Sequence, residues 1–327
     1  MEQAGRTDVR PGRGGLPPLG RVGVWAGDAD GWPLAELRRA VAAAERLGYG
    51  ALWFGETGGR EAMAQAALLL AASERIAVVC GMADVYARDA VATAAGARTL
   101  DEAHPGRFLT TLWESHPPLA QAVRGHAYRP PVDALRAYLA GLDAAPFGPP
   151  GAGATARVPR LVSALGRPML EVAAEGADGA LVFGLPVDHT REARRLLGPD
   201  RLLAVVQLCV LAPEPTTSEP ITPEQVLAGR LAAAALPNRR ELLRASGHPE
   251  PELGDPPGPA VVDALVAYGG AGTVAAKVRE HWAAGADHVA LHVVGVGELG
   301  EGGVPERAWA GLAAELVERV ERVEPAG

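Results

Sequence analysis

The chain has 327 residues, 48% of them hydrophobic and 21% charged, with a net charge of −8 and a pI near 5.6. This composition supports a large core, and with only two cysteines, Cys80 and Cys209, it excludes both a disordered chain and a disulfide scaffold. The acidic balance without a basic patch excludes a nucleic-acid binder, no apolar run reaches membrane length and no leader segment is visible, so a soluble cytoplasmic protein is predicted, with a small-molecule substrate and no nucleic-acid or membrane partner.

Residues 1–19, rich in Gly and Pro, are expected to form a disordered tail, with one domain over 20–327. Short apolar runs then alternate with stretches of helical period. Arg21–Trp25, Ala51–Phe54, Ile76–Met82 and Arg107–Leu112 read as strands, with helices at Pro33–Leu47, Arg60–Ser73, Asp89–Leu100 and Pro131–Leu142 between and after them. A Pro/Gly loop over 144–157 interrupts the rhythm. Val158–Leu165, Gly179–Phe183 and Leu202–Leu211 are strands five to seven, with helices Pro168–Glu175 and Asp188–Leu197. Long helical stretches at 223–246 and 259–268 follow, then helix Thr273–Ala284, strand Asp287–Val294 and a closing helix Glu306–Val323. Gly269–Gly272 read as a joint, with Thr273 capping the next helix.

Eight strands alternating with helices predict an α/β protein: a (β/α)₈ TIM barrel with an insertion between strands seven and eight, whose last strand pairs with its first. An open doubly wound sheet fits less well, because Gly23, Gly27 and Gly31 do not make a dinucleotide fingerprint. In a barrel the chemistry sits just beyond the strand C-termini. Those positions hold Trp25, Asp28, Glu56, Asp84, Tyr86, Trp113, Glu114, Ser115 and His116, followed by Gly184 and by Gly295 and Val296. Motifs for zinc or for a serine nucleophile are missing. His288 and His292 share one strand face and could be a ligand pair, but such a pair on a strand is more often structural, so no metal is expected.

The runs LGRVGVW (19–25), LGYGALWFGE (47–56), GARTL (96–100), PGRF (105–108), RGH (124–126) and GADHV (285–289) resemble the luciferase-like oxidoreductases, within them the class dependent on the deazaflavin coenzyme F420. The resemblance spans about residues 19–295. It implies a (β/α)₈ barrel, hydride transfer between the deazaflavin and a small organic substrate, a homodimer, and a secondary-metabolic setting; FMN is a less favoured cofactor. Helices Glu61–Ala72 and Asp89–Leu100 are the expected two-fold interface. By the resemblance, Ala83, Thr111, Trp113, Ser115 and Gly184 face the cofactor, and His116 is the proton donor, tuned by Glu114 and Asp84. Repulsion between those two carboxylates is expected to raise a carboxyl pKa. Trp25, Trp53, Glu56 and Tyr86 are the expected substrate pocket.

The family's fourth-strand loop usually reads Gly-x-Gly-x-Ser-His. Here Thr111 and Trp113 replace both glycines and Glu114 adds a carboxylate. If the Trp113 indole points into the mouth, it takes volume the deazaflavin needs, and Trp113→Gly with Glu114→Val restores binding by more than the sum of the two. Two readings stay open: an oxidoreductase with a shifted cofactor, or a barrel without the deazaflavin that performs an acid–base step or only binds a ligand.

Overall fold

A computed structural model describes residues 15–27, 29–146, 157–211, 237–254, 257–294 and 303–317. Asp28, Gly295, Val296 and most of the 144–157 loop lie outside the described residues, as do residues 1–14, the expected helix up to 236 and the end of the closing helix. Pro17 and Leu19 are already buried, so packing starts ahead of residue 20.

The apolar runs become parallel strands: β1 Val22–Trp25, β2 Ala51–Gly55, β3 Ala77–Asp84, β4 Phe108–Trp113, β5 Arg160–Ser163, β6 Gly179–Phe183, β7 Leu202–Leu211, β8 Val266–Gly269 and β9 His288–Val293. Their order is β6-β5-β4-β3-β2-β1-β9-β7, and a β6–β7 pairing closes the cylinder. The closure expected between the last and first strands is present, with Val22 opposite Val289 and Val24 opposite Leu291. Eight strands thus make the closed (β/α)₈ barrel, with β8 as an addition.

The helices are α1 Leu34–Arg46, α2 Ala62–Ala71, α3 Ala90–Ala103, α4 Pro131–Ala144, α5 Arg167–Gly176, α6 Val187–Leu197, α7 Pro237–Ala245, α8 Pro259–Leu265, α9 Ala271–Ala283 and α10 Glu306–Leu316. Glu61 and Asp89 cap α2 and α3, accepting from the Ala64 and Ala92 amides at 2.7 and 2.8 Å. Two expectations need correction. The 259–268 stretch is not all helix: after α8 the chain extends into β8, which pairs with Leu208–Leu211. The cause is that β7 outruns β6, which covers it only to Val206, so its tip needs another hydrogen-bonding edge. Thr273 does not cap α9, which starts two residues earlier, at Ala271 behind Gly270.

A buried relay fixes the β7 tip. The Gln207 amide nitrogen donates to the carbonyls of Leu208 (2.8 Å) and Leu265 (3.0 Å). Its oxygen therefore accepts from His281 Nε2 at 2.8 Å, and His281 Nδ1 accepts from the Thr190 hydroxyl at 2.8 Å. Burial, with the Lys277 charge adding to it, pushes the imidazole down to about 4 and keeps it neutral.

Inside the barrel, Trp25, Trp53, Val79, Leu109, Leu161, Leu181 and Val206 form a continuous filling. The large rings fit because the positions beside them lack side chains. A Cβ on Gly81 would meet the Trp25 ring at 2.3 Å, and one on Gly23 would meet His288 Nε2 at 2.9 Å. Gly81→Ala is therefore expected to lower stability by about 1–3 kcal/mol, read by denaturant unfolding. Trp25→Leu should recover part of that loss, so the double variant loses less than the sum of the singles.

Candidate active site

At the C-terminal ends of the strands the barrel opens into a cavity of about 330 Å³. Its walls are Trp25, Gly27 and Asp30 from the β1 end, Gly55 and Thr57 from β2, Met82 from β3, Phe183 from β6, Leu208 from β7, Arg239 from α7 and His292 from β9. Trp25 packs edge-on to Phe183 with centroids 5.1 Å apart, and His292 lies 6.3 and 6.0 Å from the two rings. Most of this surface is apolar and aromatic, with a few converging polar groups, which is the usual make-up of a small-molecule site.

Of the residues expected to form the site, Trp25 is the one that lines this cavity. Trp53 lies beneath it, fully buried, donating from Nε1 to His288 Nε2 at 2.9 Å. His288 Nδ1 then donates to the Gly20 carbonyl at 3.0 Å, so both ring nitrogens are spent and burial pushes its pKa down to about 4. That commitment leaves His288 unable to join His292 as a ligand pair. Among the described residues no group of three or more metal-ligating side chains gathers.

Glu56 is not a pocket residue. Its buried carboxylate ion-pairs with Arg88 and accepts from the amides of Asp84 (3.0 Å) and Ala62 (3.3 Å). Asp84 is likewise consumed: it accepts from Arg124 Nε at 2.7 Å, from the Ser115 hydroxyl at 3.1 Å and from the Tyr86 amide at 2.8 Å. Carboxylates taken from water need this compensation, so both act as fasteners of the loops. Arg124 also donates to the Thr57 carbonyl at 3.1 Å, and the Thr57 hydroxyl donates to Asp30 at 2.7 Å. The loops after β1 to β4 are thereby stitched into one wall. Ser115 belongs to the stitch, with φ of 66°, a left-handed conformation that its bond to Asp84 offsets.

Ala83 packs in the outer layer under the helices, away from the mouth. Tyr86 stacks on Tyr128 at 5.8 Å and accepts from the Arg129 amide at 2.9 Å, outside the cavity. Gly184, at φ 58°, presents its carbonyl to Arg239 Nη1 at 3.0 Å, and Phe183 presents its own to Nη2 at 2.8 Å. Thr111 is fully buried. Trp113 follows Leu109 and Thr111 on the inward register of β4 and is 8% exposed, with its ring edge-to-face with His116 at 4.9 Å. The indole thus stays inside on the β4 side, and the cavity is lined instead from the ends of β1, β2, β3, β6, β7 and β9.

His116 is exposed and outside the cavity walls. Burial of part of its ring and the Arg239 charge lower its pKa, against a raising effect of Asp84, which favours the neutral ring rather than the expected proton donor. Glu114 is raised to about 7, as expected, but by burial and not by repulsion from Asp84. Its Oε2 is buried with no hydrogen-bond partner among the described residues. Arg239, His292 and Phe183 were not anticipated as cavity residues. Arg239 falls in a helical stretch within an arginine-rich chain, and Phe183 reads as one more strand residue; only His292 carried a signal, its spacing from His288.

The sequence model of the luciferase-like monooxygenases matches residues 19–199. The chain belongs to that family. A search of curated protein sequences gives no match. Among solved structures, family-like barrels superpose over most of the chain. The coenzyme F420-dependent tetrahydromethanopterin reductase from Methanopyrus kandleri matches with a TM-score of 0.65 and 16% identity, covering 91% of this chain and 98% of its own. An F420-dependent secondary alcohol dehydrogenase gives 0.65 and 13%, covering 84% and 93%. The FMN-bound oxygenating component of 3,6-diketocamphane monooxygenase from Pseudomonas putida gives 0.64 and 12%, covering 91% and 99%. At these identities the likeness is one of fold. The luciferase-like family is one of oxidoreductases and monooxygenases, and its neighbours include enzymes that use F420 and FMN.

The Glu114 carboxyl gives a pH signature. Its folded pKa of about 7 lies above the ordinary value of 4.5, so the folded state holds the proton more tightly. Stability from this group is complete below pH 4.5 and is lost as pH rises through 7. Glu114→Gln keeps the shape without the charge. Its stability relative to the parent should therefore climb between pH 5 and 8, by up to about 3 kcal/mol, in denaturant unfolding at several pH values. A flat difference would show that Glu114 is solvated.

Proposed function

We propose that the protein is an oxidoreductase that transfers hydride between coenzyme F420 and a small organic substrate, with the ring of the cofactor seated in the mouth cavity and displaced from β4 toward β1, β6 and β9. The observation that supports this reading is the cavity itself, at the strand C-termini, with apolar walls from Trp25, Met82, Phe183 and Leu208 and the buried guanidinium of Arg239. A flat, anionic cofactor suits these walls: its ring faces are apolar and its negative groups suit the guanidinium. FMN meets the same requirements and is the less favoured occupant.

The fit is poorer on the β4 side, where Trp113 fills space and Glu114 places a titratable carboxyl. When bound, the cofactor supplies a carbon that carries hydride. The chain's share is to exclude water with Trp25 and Phe183, to hold negative charge near Arg239, and to keep the loops after β1 to β4 rigid through Asp84, Arg124, Thr57 and Asp30. Trp113 and Glu114 favour a second reading, in which the barrel has dispensed with the deazaflavin and uses the carboxyl for an acid–base step.

Titration of the protein with F420 and with FMN, followed by absorbance and fluorescence, separates the two. The redox reading expects micromolar or tighter binding of F420. Arg239→Gln should weaken it by about tenfold, and Trp113→Gly should change it little, because the ring does not approach β4. Absence of binding to the parent, with tight binding to Trp113→Gly/Glu114→Val, would establish the second reading.

We also propose a homodimer through α2 and α3. Leu68 on α2 and Val91 on α3 are large apolar side chains, 36% and 49% exposed, that such an interface would cover. Light scattering at micromolar concentration should give the mass of two chains, and Leu68→Arg with Val91→Arg should halve it.

A further inference from the structure

We propose that the protein has a second ligand site, for the anionic group of a small molecule, a phosphate or a carboxylate, in a cavity among its outer helices. The cavity measures about 500 Å³, larger than the one at the mouth. Its walls come from the start of α6, the segment just after α7, α8 and the second half of α9. Among the described residues none is shared with the walls of the mouth. What binds here is therefore independent of the reading given to the mouth.

The charged groups of the walls are not equally engaged. Asp188 and Arg191 pair with each other along α6, and both side chains stand largely in solvent. Lys277 differs. Its side chain is only 24% exposed, and its contact with the Glu280 carboxylate is 3.5 Å long, to a side chain itself mostly in water. The ammonium makes no hydrogen bond among the described residues. His248 is half-buried in the same walls; its backbone amide donates to the Leu243 carbonyl, and its ring has no partner among the described residues. An ammonium offers three donors and an imidazole one or two. Sheltered donors of this kind suit an anionic acceptor, whose charge strengthens each bond.

The helix ends point the same way. Carboxyl ends of α7 and α9 lie at the cavity and would oppose an anion, but both are closed by amides that follow them. Ser246 and His248 donate to the Leu243 carbonyl at 3.1 Å each, and Ala284 and Gly285 donate to Glu280 and Trp282 at 2.9 and 3.1 Å. By contrast α6 begins behind Pro186 with no capping side chain, and Pro186 and Val187 are in the wall. An open amino end favours negative charge.

Lys277 is also the only lysine among 31 basic residues. A lysine ammonium is a compact point charge, whereas an arginine presents a broad planar fork. The compact cation leaves more of the cavity open for a ligand. Asp188 and Glu280 set a limit, since they disfavour a ligand of high negative charge and suit one with a single anionic group. Binding is non-covalent, and no bond is made or broken.

The single lysine makes the test direct. Whole protein grown with lysine carbon-13 labelled at Cε gives one lysine signal in proton–carbon NMR. Sodium phosphate and, separately, sodium acetate are titrated near neutral pH against sodium chloride of equal ionic strength. At least one of the two should move the Lys277 signal along a saturating curve with a half-point below about 10 mM, which chloride does not reproduce. Saturation by phosphate alone assigns the site to phosphate esters, and saturation by acetate assigns it to carboxylates. His248→Gln should raise the half-point about fivefold. Lys277→Gln should lose the heat of binding of the same anion in calorimetry. A shift that merely tracks ionic strength in both titrations overturns the proposal. So does a half-point unchanged in His248→Gln, or a binding heat retained in Lys277→Gln, because either places the anion outside this cavity.

Discussion

The barrel of this protein depends on how large rings are housed in a narrow cylinder. Trp25, Trp53, His288, His292 and Phe183 all project toward the axis, and an eight-stranded barrel has room for side chains but little to spare. The solution is local. Gly23, Gly27 and Gly81 stand where a Cβ would strike a ring, each within 3 Å of His288, His292 or Trp25 respectively. Gly23 and Gly27 face rings from the neighbouring strand β9, so those two pairs also tie its register to β1, whereas Gly81 on β3 makes room for a ring from β1, two strands away. The cavity at the mouth is what remains above this filling, and its floor and wall are the same rings.

The mouth is asymmetric for an electrostatic reason. On the side of β2 to β4, carboxylates at the strand ends were drawn into buried ion pairs, Glu56 with Arg88 and Asp84 with Arg124, and these bind the loops to one another. Groups so engaged have little freedom to meet a ligand. On the side of β6, β7 and β9 the walls are Phe183, Leu208 and His292, with Arg239 reaching in from α7. The polar groups of this wall, Arg239 and His292, thus come from beyond residues 19–199 that match the family.

This asymmetry explains what the sequence could and could not reveal. The barrel was readable because βα alternation is a periodic signal, and the pairing of Asp287–Val294 with Arg21–Trp25 follows from closure. β8 was not readable: four residues after a helical run carry no period, and it forms to satisfy the tip of β7. For the site, position beyond a strand end was legible, but direction was not. Glu56 and Asp84 sit where catalytic acids would sit, and only the arginines at 88 and 124, distant in sequence, show that they are fasteners. A raised carboxyl pKa was expected for Glu114 or Asp84; it falls on Glu114, and burial is the cause and not its neighbour. Arg239 could not be distinguished in a chain where Lys277 is the only lysine among 31 basic residues.

The floor of the cavity also gives the protein an optical character of its own. Trp25 and Trp53 stack with centroids 6.5 Å apart and planes 21° from parallel, close enough for their excited states to interact. Trp53 is fully enclosed and bonded to His288, whereas Trp25 faces the cavity. Light absorbed by the enclosed indole is therefore shared with one that touches whatever enters the mouth. The chain carries a built-in chromophore pair whose circular dichroism and emission report on the occupancy of the barrel without any added label.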